Sequence, residues 1–304
     1  MTKQEVMRQS IRDIWIVALY HLRRVTKTRA AFSLVGLFLF ASMGVATAFR
    51  WVLGAMEKTM AATTNMRLGD QPGALYDALR DRGELLEFME ELSESAEAIA
   101  WAIQLPYMPF TWFWAGFILV PFLAAEVGCE AITSDIGART LRFEAVRTGR
   151  LEIVVGRFLG MALLTLVAIA LSALIPLLTA IFWMDGQKPV EQVVYLLLFI
   201  PRLWLWSLPF LAMGLSLSTL FSNINWARLF TLGLVLGSWI AFNIAKFFLN
   251  LSATETGALF IFPQAWMGGM SGGGVAWLGS GVALIGLGAL YLSPGIILIK
   301  RRDL

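Results

Sequence analysis

The chain has 304 residues but only one cysteine, Cys129, and one histidine, His21. A single thiol excludes an intrachain disulfide. One histidine and one cysteine are too few for the usual zinc site or for a Ser-His-Asp triad. There is no G-x-x-x-x-G-K-[ST] phosphate loop, so the usual ATP cradle is missing, and no H-E-x-x-H or G-x-S-x-G occurs. No cofactor or metal is expected on the chain itself. Charge is scarce as well, at 15% of residues, and none interrupts 30–49, 98–125, 158–184, 203–227, 229–245 or 256–299.

What fills those stretches is apolar. The composition is 58% hydrophobic with a mean hydropathy of +0.71, against roughly 45–50% in soluble domains. A bilayer-crossing helix needs about 20 such residues. The economical reading is an all-α polytopic membrane protein with six transmembrane helices, at 30–50, 107–131, 153–180, 203–221, 228–249 and 275–299. All 304 residues then form one permease-like domain in the lipid bilayer. The sequence pI near 9.2 does not point to nucleic acid, because the basic residues stand beside the spans. Arg8, Arg12, Arg23, Arg24, Lys27 and Arg29 precede the first span. Arg139, Arg142, Arg147, Arg150 and Arg157 lie between the second and third, and Lys300 and Arg301 follow the sixth. In the 54–105 loop, acids outnumber bases by more than two to one. Lysine and arginine favour the cytoplasmic side, so both termini are expected inside a cell inner (plasma) membrane.

Before the first span, Met7, Ile11, Ile14, Ala18, Leu22 and Val25 recur every three or four residues. That spacing predicts an amphipathic helix over 4–27, lying in the headgroup plane, with His21 in a packing role. In the 54–105 loop, Pro72 and Gly73 mark a turn. The pattern beyond them predicts a helical hairpin over 70–100, its acidic face either solvated or open to an extracytoplasmic partner. Pro201 and Arg202 are expected to divide the fourth span. Arg202, flanked by Trp204 and Trp206, is read as snorkelling near the outer interface; a buried, pairing arginine is the sharper alternative. The glycine-rich stretch 250–274, uncharged from 260 onward, is too apolar for an open loop and too interrupted for a span, which predicts a re-entrant or interfacial hairpin covered by protein. Gly279, Gly281, Gly286 and Gly288 would let the last span approach its neighbours closely.

Two groups of polar residues are candidates for function. Glu126 and Glu130 share one helix face at the inner end of span two. They could relay protons, but a contact with basic neighbours is the preferred reading. The cytoplasmic segment 132–152 is the second. Thr133 or Ser134 could cap a short helix there, with Asp135 in its first turn and Arg139 and Arg142 in later turns. A short charged helix between two long spans is a lever.

In this segment the sequence resembles the type-2 permease family of ATP-binding-cassette exporters. Asp135, Arg139, Thr140 and Leu141 match the acid-x-x-x-[GR]-T-L element. Arg147 and Arg150 match an arginine-proline element, with Thr148 where proline is usual. Gly156 and Arg157 stand at the usual Gly-Lys, and Arg301, Arg302 and Asp303 match the closing residues. The resemblance implies a transmembrane subunit that exports a substrate. Its ATP-Mg would sit on separate ATPase subunits gripping Asp135, Arg139, Thr140, Leu141, Arg142, Arg147 and Arg150. A second permease copy, alike or related, would complete the membrane unit, and Glu126, Glu130 and Arg202 are its candidate pathway or interface residues. The rivals are an anchor or signalling subunit driven by an ATPase, and an ion-coupled secondary transporter. The second would be expected to show inverted repeats and mid-span acids, and neither is seen.

Overall fold

The computed structural model describes residues 3–27, 29–64, 72–73, 105–138, 140–184, 188–249, 259–272 and 275–301. The 70–100 hairpin therefore lies outside the described residues except for Pro72 and Gly73. These form a turn, with Gly73 at φ 124° and its amide donating to Glu57. The described residues form helices and turns. In chain order the helices are α1 (Lys3–Val25), α2 (Arg29–Thr64), α3 (Tyr107–Gly137), α4 (Leu141–Arg147), α5 (Arg150–Ser172), α6 (Leu174–Trp183), α7 (Pro189–Ser218), α8 (Ile224–Phe248), α9 (Met267–Ser271) and α10 (Ala276–Arg301). Six stretches are long and apolar enough to cross a membrane, α5 and α6 together making one of them. This is an all-α polytopic membrane fold.

The core is built on α7. Of its most apolar stretch 67% is buried, against 61% for α3, 17% for α2 and 11% for α8. Lipid tails are as apolar as leucine, so close van der Waals packing and interhelical hydrogen bonds must hold such helices together. The α3–α7 seam supplies both. A Cβ on Gly128 would lie 2.3 Å from the Leu211 carbonyl oxygen, and one on Gly214 would lie 2.1 Å from that of Ala125. Only glycine at both positions allows this approach. Outward from it, Phe113 stacks on Phe199 at 4.2 Å, and Trp206 packs edge-on against Phe117 at 5.2 Å.

Prolines mark where side chains replace backbone bonds. A helical proline leaves the carbonyl four residues earlier without its amide donor. Pro121 frees Phe117, whose oxygen accepts the Trp206 indole N–H at 3.2 Å. Pro176 frees Ser172, whose oxygen accepts the Ser42 hydroxyl of α2 at 2.8 Å. The third span accordingly breaks after Ser172 and restarts at Leu174.

The fourth span does not divide. α7 continues through Pro201 and Arg202, some 13 residues or roughly 20 Å from its start at Pro189. Nor does Arg202 snorkel. It is 1% exposed and donates to the carbonyls of Met270 and Gly272 at 3.2 and 2.9 Å, with Trp277 stacked 5.4 Å from its guanidinium. Trp204 donates to Ala162 O in α5, and Trp206 is fully buried. The two tryptophans tie helices together instead of marking an interface. The carbonyls that hold Arg202 belong to the segment before α10, which was expected to be a re-entrant hairpin. A 3-10 turn (Pro263–Trp266) and α9 return alongside α10, where Tyr291 donates to Ile261 O and Gln264 Nε2 donates to Ser238 Oγ of α8 at 3.0 Å. Of the five α10 glycines, Gly279 and Gly286 face open space, while Gly281 meets Leu205, Gly288 meets Leu208 and Gly295 meets Ser216.

Candidate functional site

The end of the bundle that carries α4 gathers charges from four helices. α3 does not stop at Thr133. It runs on to Gly137, and Thr133 is an interior residue whose hydroxyl donates to Cys129 O and Ser218 O at 2.7 and 3.2 Å. The separate helix is the shorter α4, seven residues long. Asp135, on the last turn of α3, is buried, with 3% of its side chain exposed. Its carboxylate receives Arg157 of α5 at 2.6 Å, Arg24 of α1 at 2.9 Å and the Thr140 hydroxyl at 3.0 Å. Arg157, 1% exposed, also donates to Ala131 O at 2.6 Å and to Glu144 of α4 at 2.5 Å. Two carboxylates thus face two guanidiniums, and Arg157 uses both terminal nitrogens. This is the arrangement a buried ion pair needs to offset the cost of leaving water.

The packing under the cluster explains its depth. One face of α1 docks on α5. A Cβ on Gly160 would meet Ala18 O at 2.8 Å, and one on Gly156 would meet Ile14 O at 2.8 Å. Ala18 and His21 are buried there, while Met7, Ile11, Trp15 and Leu19 remain exposed along the other side. The expected single apolar face is therefore split between protein and surroundings. Burial, and then the nearby Arg157 guanidinium, push the His21 imidazole down to about 3, so it is neutral. Ser10 of α1 donates to Glu152 of α5 at 2.8 Å, adding a second tie.

The residues proposed from sequence separate into three places. Asp135, Thr140 and Leu141 come together, Leu141 as part of the apolar core. Arg142 and Arg147 lie in α4, but their side chains are outside the described residues, as is Arg139 entirely. Arg150 points elsewhere, donating to Ile299 O and Lys300 O at 3.2 and 2.7 Å at the end of α10. Glu126 and Glu130 face α8, where Arg228 pairs with Glu126 at 3.5 Å and contacts Glu130 directly. Contact with a basic neighbour was the preferred reading of that pair. Arg202 is remote from all of these, beside α9. Arg24 was read only as a topology signal and Arg157 as that and as the residue at the usual Gly-Lys, while Glu144 and Arg228 were not singled out. One available signal was an arginine just inside the predicted span 153–180, at 157. Its partners on α3 and α4 are separated from it by sequence and met only on folding.

α4 carries a further feature. Phe143 and Val146, three apart on one face, are 76% and 87% exposed, an apolar patch on a charged helix. Among the described residues no group of three His, Cys, Asp or Glu could hold a metal ion. No curated protein matches the chain. Residues 5–267 match the family model described as ABC-2 family transporter protein, which covers most of the 304 residues and places α1 to the 3-10 turn inside the match; the chain belongs to the ABC-2 transporter family.

Proposed function

We propose that this transmembrane subunit exports a substrate with energy from ATP hydrolysed on a separate ATP-binding-cassette ATPase, and that α4 receives the mechanical stroke. Family membership makes the chain a transport subunit and an ABC ATPase its partner. One observation supports the finer reading: α4 is joined through Arg157 to α5, through Asp135 to α3 and through Arg24 to α1. Force applied to α4 would move three helices as one body. Phe143 and Val146 would enter the ATPase surface, with Arg139, Arg142 and Arg147 around them. In this reading α4 and both termini face the cytoplasm of the plasma membrane. A second permease copy would cover α2 and α8, the least buried spans.

The test is co-purification of the ATPase with Phe143→Asp/Val146→Asp and with Arg142→Glu/Arg147→Glu. Removing an anchor or a desolvated charge from an interface costs about 2–5 kcal/mol of binding, while exposed changes alter stability by about 0.5 kcal/mol or less. Both variants should reach the membrane normally and lose the ATPase. Lysine at 142 and 147 should also weaken capture, since lysine lacks the planar fork. ATPase retained at wild-type level in both would remove α4 from the mechanism.

A further inference from the structure

From a cavity in the α4 end of the bundle we infer a binding site for a lipophilic monocation, a hydrophobic body carrying one positive charge. This deepens the transport reading by naming a substrate class. The cavity is about 230 Å³ and lies between the end of α1, the start of α2, and α3, α5 and α8. Leu34, Leu37, Val127 and Leu164 make its floor, and Glu126, Glu130 and Arg228 stand on its wall. An apolar pocket with a few convergent polar groups is the form of a small-molecule site.

The charge on that wall decides what fits. Among the described residues two carboxylates share one guanidinium, leaving one negative charge unbalanced. Glu130 holds the closer contact. Glu126 meets only Nε at 3.5 Å, and 37% of its side chain is open. It stands near the inner end of the second span, within a stretch long and apolar enough to span a bilayer. An unbalanced charge there is costly, and an ionisable residue inside a span points to function. Neither a neutral lipid tail nor an anion relieves it, because the net charge of the wall repels the second and ignores the first. A cation with delocalised charge loses little hydration on entering and balances Glu126 across the apolar floor. α2 and α8, which flank the cavity, are the two least buried spans.

Tetraphenylphosphonium and tetraphenylborate have nearly the same shape and opposite charge, so they separate charge from hydrophobicity. The full-length chain, without ATPase, is placed in phosphatidylcholine nanodiscs, and binding is measured by equilibrium dialysis against empty discs. The phosphonium should bind saturably and the borate should not. Glu126→Gln should weaken binding roughly tenfold, the scale of one lost charge contact, and Glu130→Gln should weaken it as well. Leu164→Trp or Leu37→Trp, on different helices, should block it by filling the floor. Equal binding of the two ions, no saturable binding of the phosphonium, or Glu126→Gln binding like wild type would each overturn the site. A cavity filled by a second copy would appear as absent binding and counts against it. The comparison of the two ions needs no variant, so a misfolded mutant leaves it decisive. Because no ATPase is present, failure here leaves the ATPase-capture result standing on its own.

Discussion

Asp135 holds two arginines with almost no solvent to share the load, so its loss should cost far more than the loss of an exposed partner. Asp135→Asn leaves Arg157 buried with one carboxylate fewer, an effect of about 3–5 kcal/mol. The exposed Lys188–Glu191 pair, at 3.5 Å, gives the contrast: Glu191→Gln should change stability by about 0.5 kcal/mol or less. Thermal unfolding in detergent distinguishes the two, and equal melting points would contradict the buried-cluster account. His21 predicts a pH dependence at the same place. Its imidazole sits at about 3 when folded, below the ordinary 6.5, so the unfolded chain takes up the extra proton. The stabilising contribution is complete above about 6.5 and is lost as pH falls toward 3, with a slope approaching 1.4 kcal/mol per pH unit. Between pH 6.5 and 5, where ordinary carboxylates stay charged, the wild-type melting temperature should fall more steeply than that of His21→Gln. Parallel curves would show that His21 does not titrate there.

At the scale of elements, the prolines and glycines do more than interrupt. Composition reads Pro176 as a kink, but only the neighbouring helix reveals the compensation, the Ser42 hydroxyl on the freed Ser172 carbonyl. This predicts a coupling between two residues far apart in sequence. Ser42→Ala alone should destabilise by about 0.6 kcal/mol, with an upper value near 1.7. In a Pro176→Ala background the helix can make its own bond to Ser172, and the serine should then matter less. A double-mutant cycle measures this, and additive effects would separate the two residues. Helix α1 carries the same lesson. Periodicity finds an amphipathic helix over 4–27, yet its apolar positions divide between α5 and the exterior. Gly156 and Gly160, which admit α1, look in sequence like any two glycines of a span.

For the whole molecule, orientation rests on the distribution of arginine and lysine, and it is open to direct measurement. In a Cys129→Ser background, single cysteines at 90, 148 and 302 should differ in reach. Only position 90 should react with an impermeant thiol reagent added outside, and outside labelling at 148 would invert the topology. Cys129 itself is buried.

Length and apolar runs were enough to determine the class and the six stretches able to span a bilayer, because a bilayer imposes these on composition through desolvation of the backbone. Asp135, the acid at the centre of the buried cluster, was also singled out by its motif. Tertiary structure alone decided that Asp135 is buried instead of exposed and that Arg202 lies inside and not at an interface. It also decided that Arg228 neutralises part of the Glu126–Glu130 pair. Each of these depends on which helix lies opposite, and a side chain's partner across a helix seam leaves no period in its own sequence. Hydrophobic patterning reports what leaves water; hydrogen-bonding and ionic partners are assigned only when distant segments meet.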